Sequence, residues 1–154
     1  GVIDIGIGRS PQDRLKMAAL IGNSGKPART FYQSLGFWKF NNKPYSIVVC
    51  QLESGRTHQI RVHMQHRGYP LVGDQLYGEK KGTRSSIVAG VDVFNRQALH
   101  AFQLGLIHPR TGDYMSWQAD LPEDFVHLLA EMGVDDMPLP EPDFVMDALE
   151  DFVE

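Results

Sequence analysis

SGRTHQIRVHMQHRGYPLVGDQLYG, residues 54–78, gathers three arginines (Arg56, Arg61, Arg67) and three histidines (His58, His63, His66), then stops at Gly68-Tyr69-Pro70 and Gly73-Asp74. Thr57, Ile60, Arg61 and Met64 fall at i, i+3, i+4 and i+7, the spacing of one helical face, and Gly68 with Pro70 just beyond is a helix stop. The spacing predicts a helix over residues 55–68. On that helix Arg61 shares the inward stripe with Ile60 and Met64, whereas Arg56, His63 and Arg67 lie on another face that would meet solvent or phosphate. An arginine turned inward needs a carboxylate or a fan of acceptors, because an isolated buried charge is costly and a guanidinium cannot escape by losing its proton. Arg61 therefore predicts a partner. Such a pair can be purely structural, or in a cleft it can fix a carboxylate and keep it ionised, as suits a nucleophile or a base.

The surrounding chain is that of a soluble globular protein. Its 154 residues fit one domain with a real core, and 42% hydrophobic and 22% charged residues are neither a disordered nor a membrane composition. No apolar run approaches the roughly 20 residues that span a bilayer, and the first residues lack the basic-then-apolar order of a signal peptide, so a cytoplasmic location is expected. The single cysteine, Cys50, excludes an internal disulfide and reads as a buried, inert thiol within the apolar run of residues 46–50. Charge divides along the chain: nine of the nineteen acidic residues and none of the fifteen basic ones fall in 131–154. The body is mildly basic and the tail strongly acidic, which permits a polyanion to bind the body without requiring one.

Alternation predicts a strand over residues 1–8, followed by a turn at 9–13; residues 14–21 are open between helix and strand. Residues 28–35 and 45–52, rich in aromatic and β-branched side chains between proline-marked turns, are expected strands, as are 99–107 and 114–119. Residues 79–90 read as a loop carrying Lys80, Lys81 and Arg84. Asp120-Leu121-Pro122-Glu123 opens a helix to about Met132, with acidic residues where the helix dipole favours them. The expected division is a body over 1–132 and an acidic tail over 133–154, where Val145, Ala148, Leu149 and Phe152 have the spacing of a short amphipathic helix.

The histidines point away from a metal. His63 and His66 stand at i, i+3, yet there is no His-Glu-x-x-His, no cysteine pair and no third ligand. His58 and His63 are expected to orient a loop or a phosphate, and His100 and His108, at strand ends, to be structural. No phosphate-binding glycine loop and no Gly-x-Ser-x-Gly elbow occurs.

Three blocks then resemble a known family. Ser54 to Met64, followed by Gly68-Tyr69-Pro70-Leu71-Val72-Gly73-Asp74 and Tyr77-Gly78, is similar to the late motif of the RluA-type RNA pseudouridine synthases. The likeness continues through Phe94-Asn95-Arg96-Gln97-Ala98-Leu99-His100-Ala101, His108-Pro109 and Thr111-Gly112, and that first octet is most similar to the D-type branch, which modifies RNA of the large ribosomal subunit. The resemblance implies an α+β fold with a mixed, mostly antiparallel sheet and flanking helices, an RNA cleft, and neither cofactor nor metal. The implied reaction isomerises uridine in large-subunit ribosomal RNA: an aspartate initiates cleavage of the base–ribose bond, the uracil turns, and its C5 bonds to the ribose carbon. The target base must first leave the stack.

Arg61 aligns with the family arginine that pairs with the catalytic aspartate. No His-Arg-Leu-Asp motif occurs, nor the upstream Arg-x-Tyr block, and Asp4, Asp13, Asp74 and Asp92 lack that context. The chain thus reads as the C-terminal portion of a synthase catalytic domain, inactive alone, with Arg61 awaiting an acid from elsewhere. Arg56, His58, Gln59, His63, Arg67, Lys80, Lys81, Arg84 and Arg96 are the candidate RNA contacts. The competing expectations are a non-catalytic RNA-binding module and, further off, a metal-dependent enzyme using the histidines. A truncated sheet would also bare strand edges, so self-association is expected.

Overall fold

In a computed structural model, which describes residues 1–22, 24–78 and 94–134, the start of the chain pairs on two sides in turn. Strand β1 (Val2–Asp4) runs antiparallel to β4 (Arg29–Phe40). The chain bends at Ile5, and β2 (Gly6–Arg9) then pairs with β3 (Met17–Leu20) while Ile7 still exchanges backbone hydrogen bonds of 2.9 Å with Lys26. The single strand expected over 1–8 is therefore two, divided where the hydrogen-bonding partner changes. The open stretch 14–21 resolves as β3, because its backbone has a strand to pair with and too few residues for a stable helix.

Strand β5 (Lys43–Leu52) pairs along the whole of β4 in a hairpin longer than the two short strands expected. Asn41 and Asn42, at φ 48° and 62°, make the two-residue turn that the twist of a hairpin favours. A register shift between Ser34 and Gly36 bends the ribbon. Beyond it Trp38, Phe40 and Tyr45 turn to one side and pack under Leu128 and Met132, at the end of helix α2 (Glu123–Glu131). Strands β6 (Gln103–Ile107) and β7 (Tyr114–Gln118) form a separate antiparallel ribbon. Residues 99–102 do not extend β6 as expected, since the carbonyl of Leu99 serves Arg96 and the His100 ring hydrogen-bonds to the carbonyl oxygen of Ala119. All strand pairings among the described residues are antiparallel, and with two helices the class is α+β, as the resemblance implied. The loop over 79–90 and nearly all of the acidic tail lie outside the described residues.

Helix α1 (Gln59–His66) is shorter than the predicted 55–68 and turns a different face inward. Gln59, Val62, His63 and Met64 are its buried residues. Two stripes compete at helical spacing here, and 59/62/63 prevails over 57/60/61/64 because Gln59 and His63 find buried partners. Gln59 Nε2 donates to the carbonyl oxygen of Arg29 (2.9 Å) and to Thr30 Oγ1 (3.0 Å), while its Oε1 accepts from Ser54 and from the backbone N–H of Arg56. His63 has no exposed surface; Nδ1 meets Thr30 Oγ1 at 2.9 Å and Nε2 meets the carbonyl oxygen of Ile5 at 3.1 Å. A carbonyl can only accept, so Nε2 carries the proton and Nδ1 accepts from the Thr30 hydroxyl. Around this hub, Val62 packs with Ile7, Ala28 and Tyr77. Burial pushes the His63 imidazole below its ordinary value.

Two outcomes follow from this hub. Thr30→Val keeps the shape but strands one Gln59 N–H and the His63 acceptor, and is expected to cost about 2 kcal/mol or more in urea unfolding; an unchanged midpoint would remove Thr30 from the hub. Because His63 resists its proton only when folded, stability should be full above about pH 6.5 and fall as pH drops below it. Unfolding midpoints at pH 7.5 and 5.5 check this, with His63→Gln expected to be less stable at pH 7.5 but flatter across the interval.

Candidate active-site cluster

Arg61 leaves α1 at the edge of the buried face, its side chain 12% exposed, and reaches a carboxylate with no exposed surface. Its Nε and Nη2 donate to Asp74 Oδ2 and Oδ1, each at 2.8 Å, the two-pronged geometry that a planar guanidinium and a carboxylate share. Oδ1 also accepts the backbone N–H groups of Leu76 and Tyr77 at 3.0 and 2.9 Å, closing the chain into a tight turn on the carboxylate. Gly73 makes the turn possible: its φ is 71°, and a Cβ there would run into the carbonyl oxygen of Arg96. Burial pushes the Asp74 carboxyl up, but the Arg61 hydrogen bonds and the two amide donors outweigh it and hold it below the usual carboxylate range.

The other side of Arg61 is held by a ring. The guanidinium carbon lies 4.8 Å from the centroid of Tyr77, whose own hydroxyl accepts the backbone N–H of Met17 at 2.9 Å. The same hydroxyl meets His58 Nδ1 at 2.9 Å, with the two rings edge to face. His58 takes the left-handed conformation, φ 57°, immediately before α1, and this turns its imidazole toward Tyr77. Burial and then the neighbouring Arg61 charge lower its proton affinity. Arg61 is thus fixed in two directions. Its third nitrogen, Nη1, takes part in neither bond to Asp74, so the cluster can present a charge-assisted donor of set position to a further anion.

The expectation that an inward Arg61 must meet a carboxylate is met within the chain itself, by Asp74. Two of the three guanidinium nitrogens are committed to it, so the carboxylate that Arg61 meets among the described residues belongs to this chain, where an acid from elsewhere had been expected, and only Nη1 stays outside the pair. Of the candidate RNA contacts, Arg56 and Arg67 are exposed, with Arg56 Nε donating to the carbonyl oxygen of Pro27 at 3.0 Å. His58 is half-buried in the cluster, and Gln59 and His63 are buried in the fold, so neither of the last two lies on a surface that RNA could reach. Arg96 forks onto Asp124 at 2.6 and 2.8 Å and gives Nη1 to two carbonyl oxygens, which ties the 94–100 segment to α2. Lys80, Lys81 and Arg84 lie outside the described residues. Sequence reasoning misses Asp74 and Tyr77 as members of the cluster; the signal was their place in the same block as Arg61, just past Gly73, where a turn would bring the chain back toward the helix. Burial pushes the Cys50 thiol up to about 11, which leaves it protonated and unreactive at neutral pH. Among the described residues no three His, Cys, Asp or Glu side chains converge, and no helix is long and apolar enough to cross a membrane.

The family model described as RNA pseudouridylate synthase matches residues 3–66. An uncharacterized RNA pseudouridine synthase of Chloroflexus aurantiacus is 45% identical over 132 residues, covering 86% of this chain and 37% of that protein. The ribosomal large subunit pseudouridine synthase D of Escherichia coli (strain K12) is 41% identical over 139 residues, covering 88% and 41%. A solved structure, human RNA pseudouridylate synthase domain containing 1, superposes with a TM-score of 0.64 at 28% identity over 99% of this chain and 58% of that one. The chain spans about two fifths of the length of these curated relatives. With the fold, the quoted motif and these likenesses in agreement, the chain belongs to the RluA-type family of RNA pseudouridine synthases.

Proposed function

We propose that this chain serves the isomerisation of uridine to pseudouridine in large-subunit ribosomal RNA, in the cytoplasm, as part of a longer enzyme. The observation that carries the reading is Arg61: it is clamped by Asp74 and laid on Tyr77, with Nη1 outside both bonds to that carboxylate. In the proposed mechanism that nitrogen steadies the carboxylate that opens the base–ribose bond, holding it ionised without any movement of the arginine. The carboxylate is supplied by polypeptide beyond these residues, in keeping with the length of the relatives, and RNA ribosomal in origin is the substrate named for the D-type relatives.

The ribbon of β6 and β7 belongs to the same reading. Leu104 faces Trp117 and Leu106 faces Met115 on one side of the ribbon, and the four are 60%, 47%, 39% and 38% exposed. We infer that alone the chain pairs with a second copy across this ribbon, each copy covering the apolar side of the other.

Three measurements test these proposals. Incubated with transcribed ribosomal RNA and mapped by carbodiimide labelling, the 154-residue chain should produce no pseudouridine, and measurable turnover would overturn the outside carboxylate. In an active full-length form, Arg61→Ala should lower turnover by about a hundredfold or more while leaving RNA affinity within a few fold; near-normal turnover would remove Arg61 from the chemistry. Sedimentation velocity should show concentration-dependent dimers that Leu104→Glu abolishes, and a clean monomer at high concentration would exclude the paired ribbon.

A further inference from the structure

A cleft of about 470 Å3, within the range of small-ligand sites (about 300–1,000 Å3), opens between the β2–β3 hairpin and the loop leading into α1. Arg9, Lys26 and Arg56 line it together with Ser24 and Thr57, and among the described residues no carboxylate lines it. The four ion pairs among the described residues involve Arg29, Arg61 and Arg96, so none of the three cleft cations is neutralised by one. Their positions are fixed by other means. Arg9 Nη1 donates to the carbonyl oxygen of Arg14 at 3.0 Å and Arg56 Nε to that of Pro27 at 3.0 Å, while two backbone bonds with Ile7 hold the main chain of Lys26 at the wall and leave its side chain to reach into the cleft. Three like charges gathered on a concave wall repel one another and focus a positive potential into the space between them, a cost that a bound anion relieves. The two hydroxyls add donors of the kind that phosphate oxygens accept, and Gly8 and Gly55 keep part of the wall free of side chains.

The cleft also adjoins the arginine cluster. Met17 lines it and donates its backbone N–H to the Tyr77 hydroxyl, while Thr57 directly precedes His58.

We propose that Arg9, Lys26 and Arg56 form a phosphate-binding subsite that grips the backbone of a single RNA strand beside the Arg61 cluster. Arg9 and Lys26 are new contacts, and the assignment of RNA as the ligand rests on the function proposed above. A strand held here by its phosphates keeps its bases free to splay, the form in which unpaired RNA is read.

Fluorescence anisotropy with an end-labelled, unstructured 12-nucleotide RNA tests the subsite on the 154-residue chain across a salt series. For single strands each phosphate contact contributes about 0.7 to the slope of log affinity against log salt. Arg9→Gln and Lys26→Ala should each lower the slope by about that amount and the double variant by about twice it, whereas Lys43→Ala, at the far end of the β4–β5 hairpin, should leave it unchanged. Far-UV circular dichroism confirms that each variant is folded, and Lys26→Arg should restore the Lys26 contribution. Slopes equal to wild type in both cleft variants would overturn the proposal. So would inorganic phosphate or UMP competing as strongly as the strand, since the cleft would then serve a small anion. The outcomes are separable from the isomerase reading: cleft-dependent RNA binding together with a full-length enzyme that modifies no uridine would refute the activity and leave the subsite standing.

Discussion

A carboxylate with no exposed surface is the constraint around which this chain is arranged. Asp74 stays ionised out of water because donors meet both of its oxygens, and the chain provides four: Arg61 Nε on Oδ2, and Arg61 Nη2 with the Leu76 and Tyr77 amides on Oδ1. Each donor commits a piece of structure. Arg61 anchors α1, the amides force the Gly73 turn, and the turn delivers the Tyr77 ring to the face of the guanidinium. Tyr77 then carries the constraint across the molecule, because its hydroxyl takes the Met17 amide of β3 and holds His58 in its left-handed conformation. Removing one partner would leave the other as an uncompensated charge, which is far more costly than losing the pair together.

The second buried polar knot, Thr30 with Gln59 and His63, does for the sheet what Asp74 does for the helix. It binds α1 to β4 and, through the Ile5 carbonyl, to the bend where β1 gives way to β2. The two knots share α1 but face different ways along it. Three of the eight residues of α1 are therefore polar side chains locked to partners on three other segments, and its register cannot slip without breaking both knots.

This explains which features were legible in the sequence. The strands from 28 onward and the helix from Glu123 follow from local patterns of apolar alternation, turn residues and capping, which owe little to tertiary context, whereas the α+β class came from the resemblance of the motifs to a known family. Arg61 was legible by its conflict with its neighbours, since a charge on an apolar stripe demands a partner wherever that partner lies. The face of α1 was not, because periodicity counts Gln59 and His63 as solvent residues and their burial depends on Thr30, 29 and 33 residues away in sequence. The partner that Arg61 finds within the chain was hidden for the opposite reason. Asp74 lay close at hand in the same motif, but a Gly-Asp pair reads as a turn, and only the geometry shows that the turn is closed upon its own carboxylate.

The same distinction governs the basic charge of the body. A count of lysines and arginines suggests a surface for a polyanion, yet Arg29, Arg61 and Arg96 are all turned onto carboxylates and hold the fold together. Arg96 stood among the expected RNA contacts and is a strut between the 94–100 segment and α2; Arg9 and Lys26 did not, and they border a cleft that no carboxylate lines among the described residues. What separates the two groups is invisible to composition. A cation beside an acid adds little field at a distance, whereas cations that share a concavity add to one another, so the surface capable of gripping a phosphate backbone is set by which positive charges the fold leaves uncompensated.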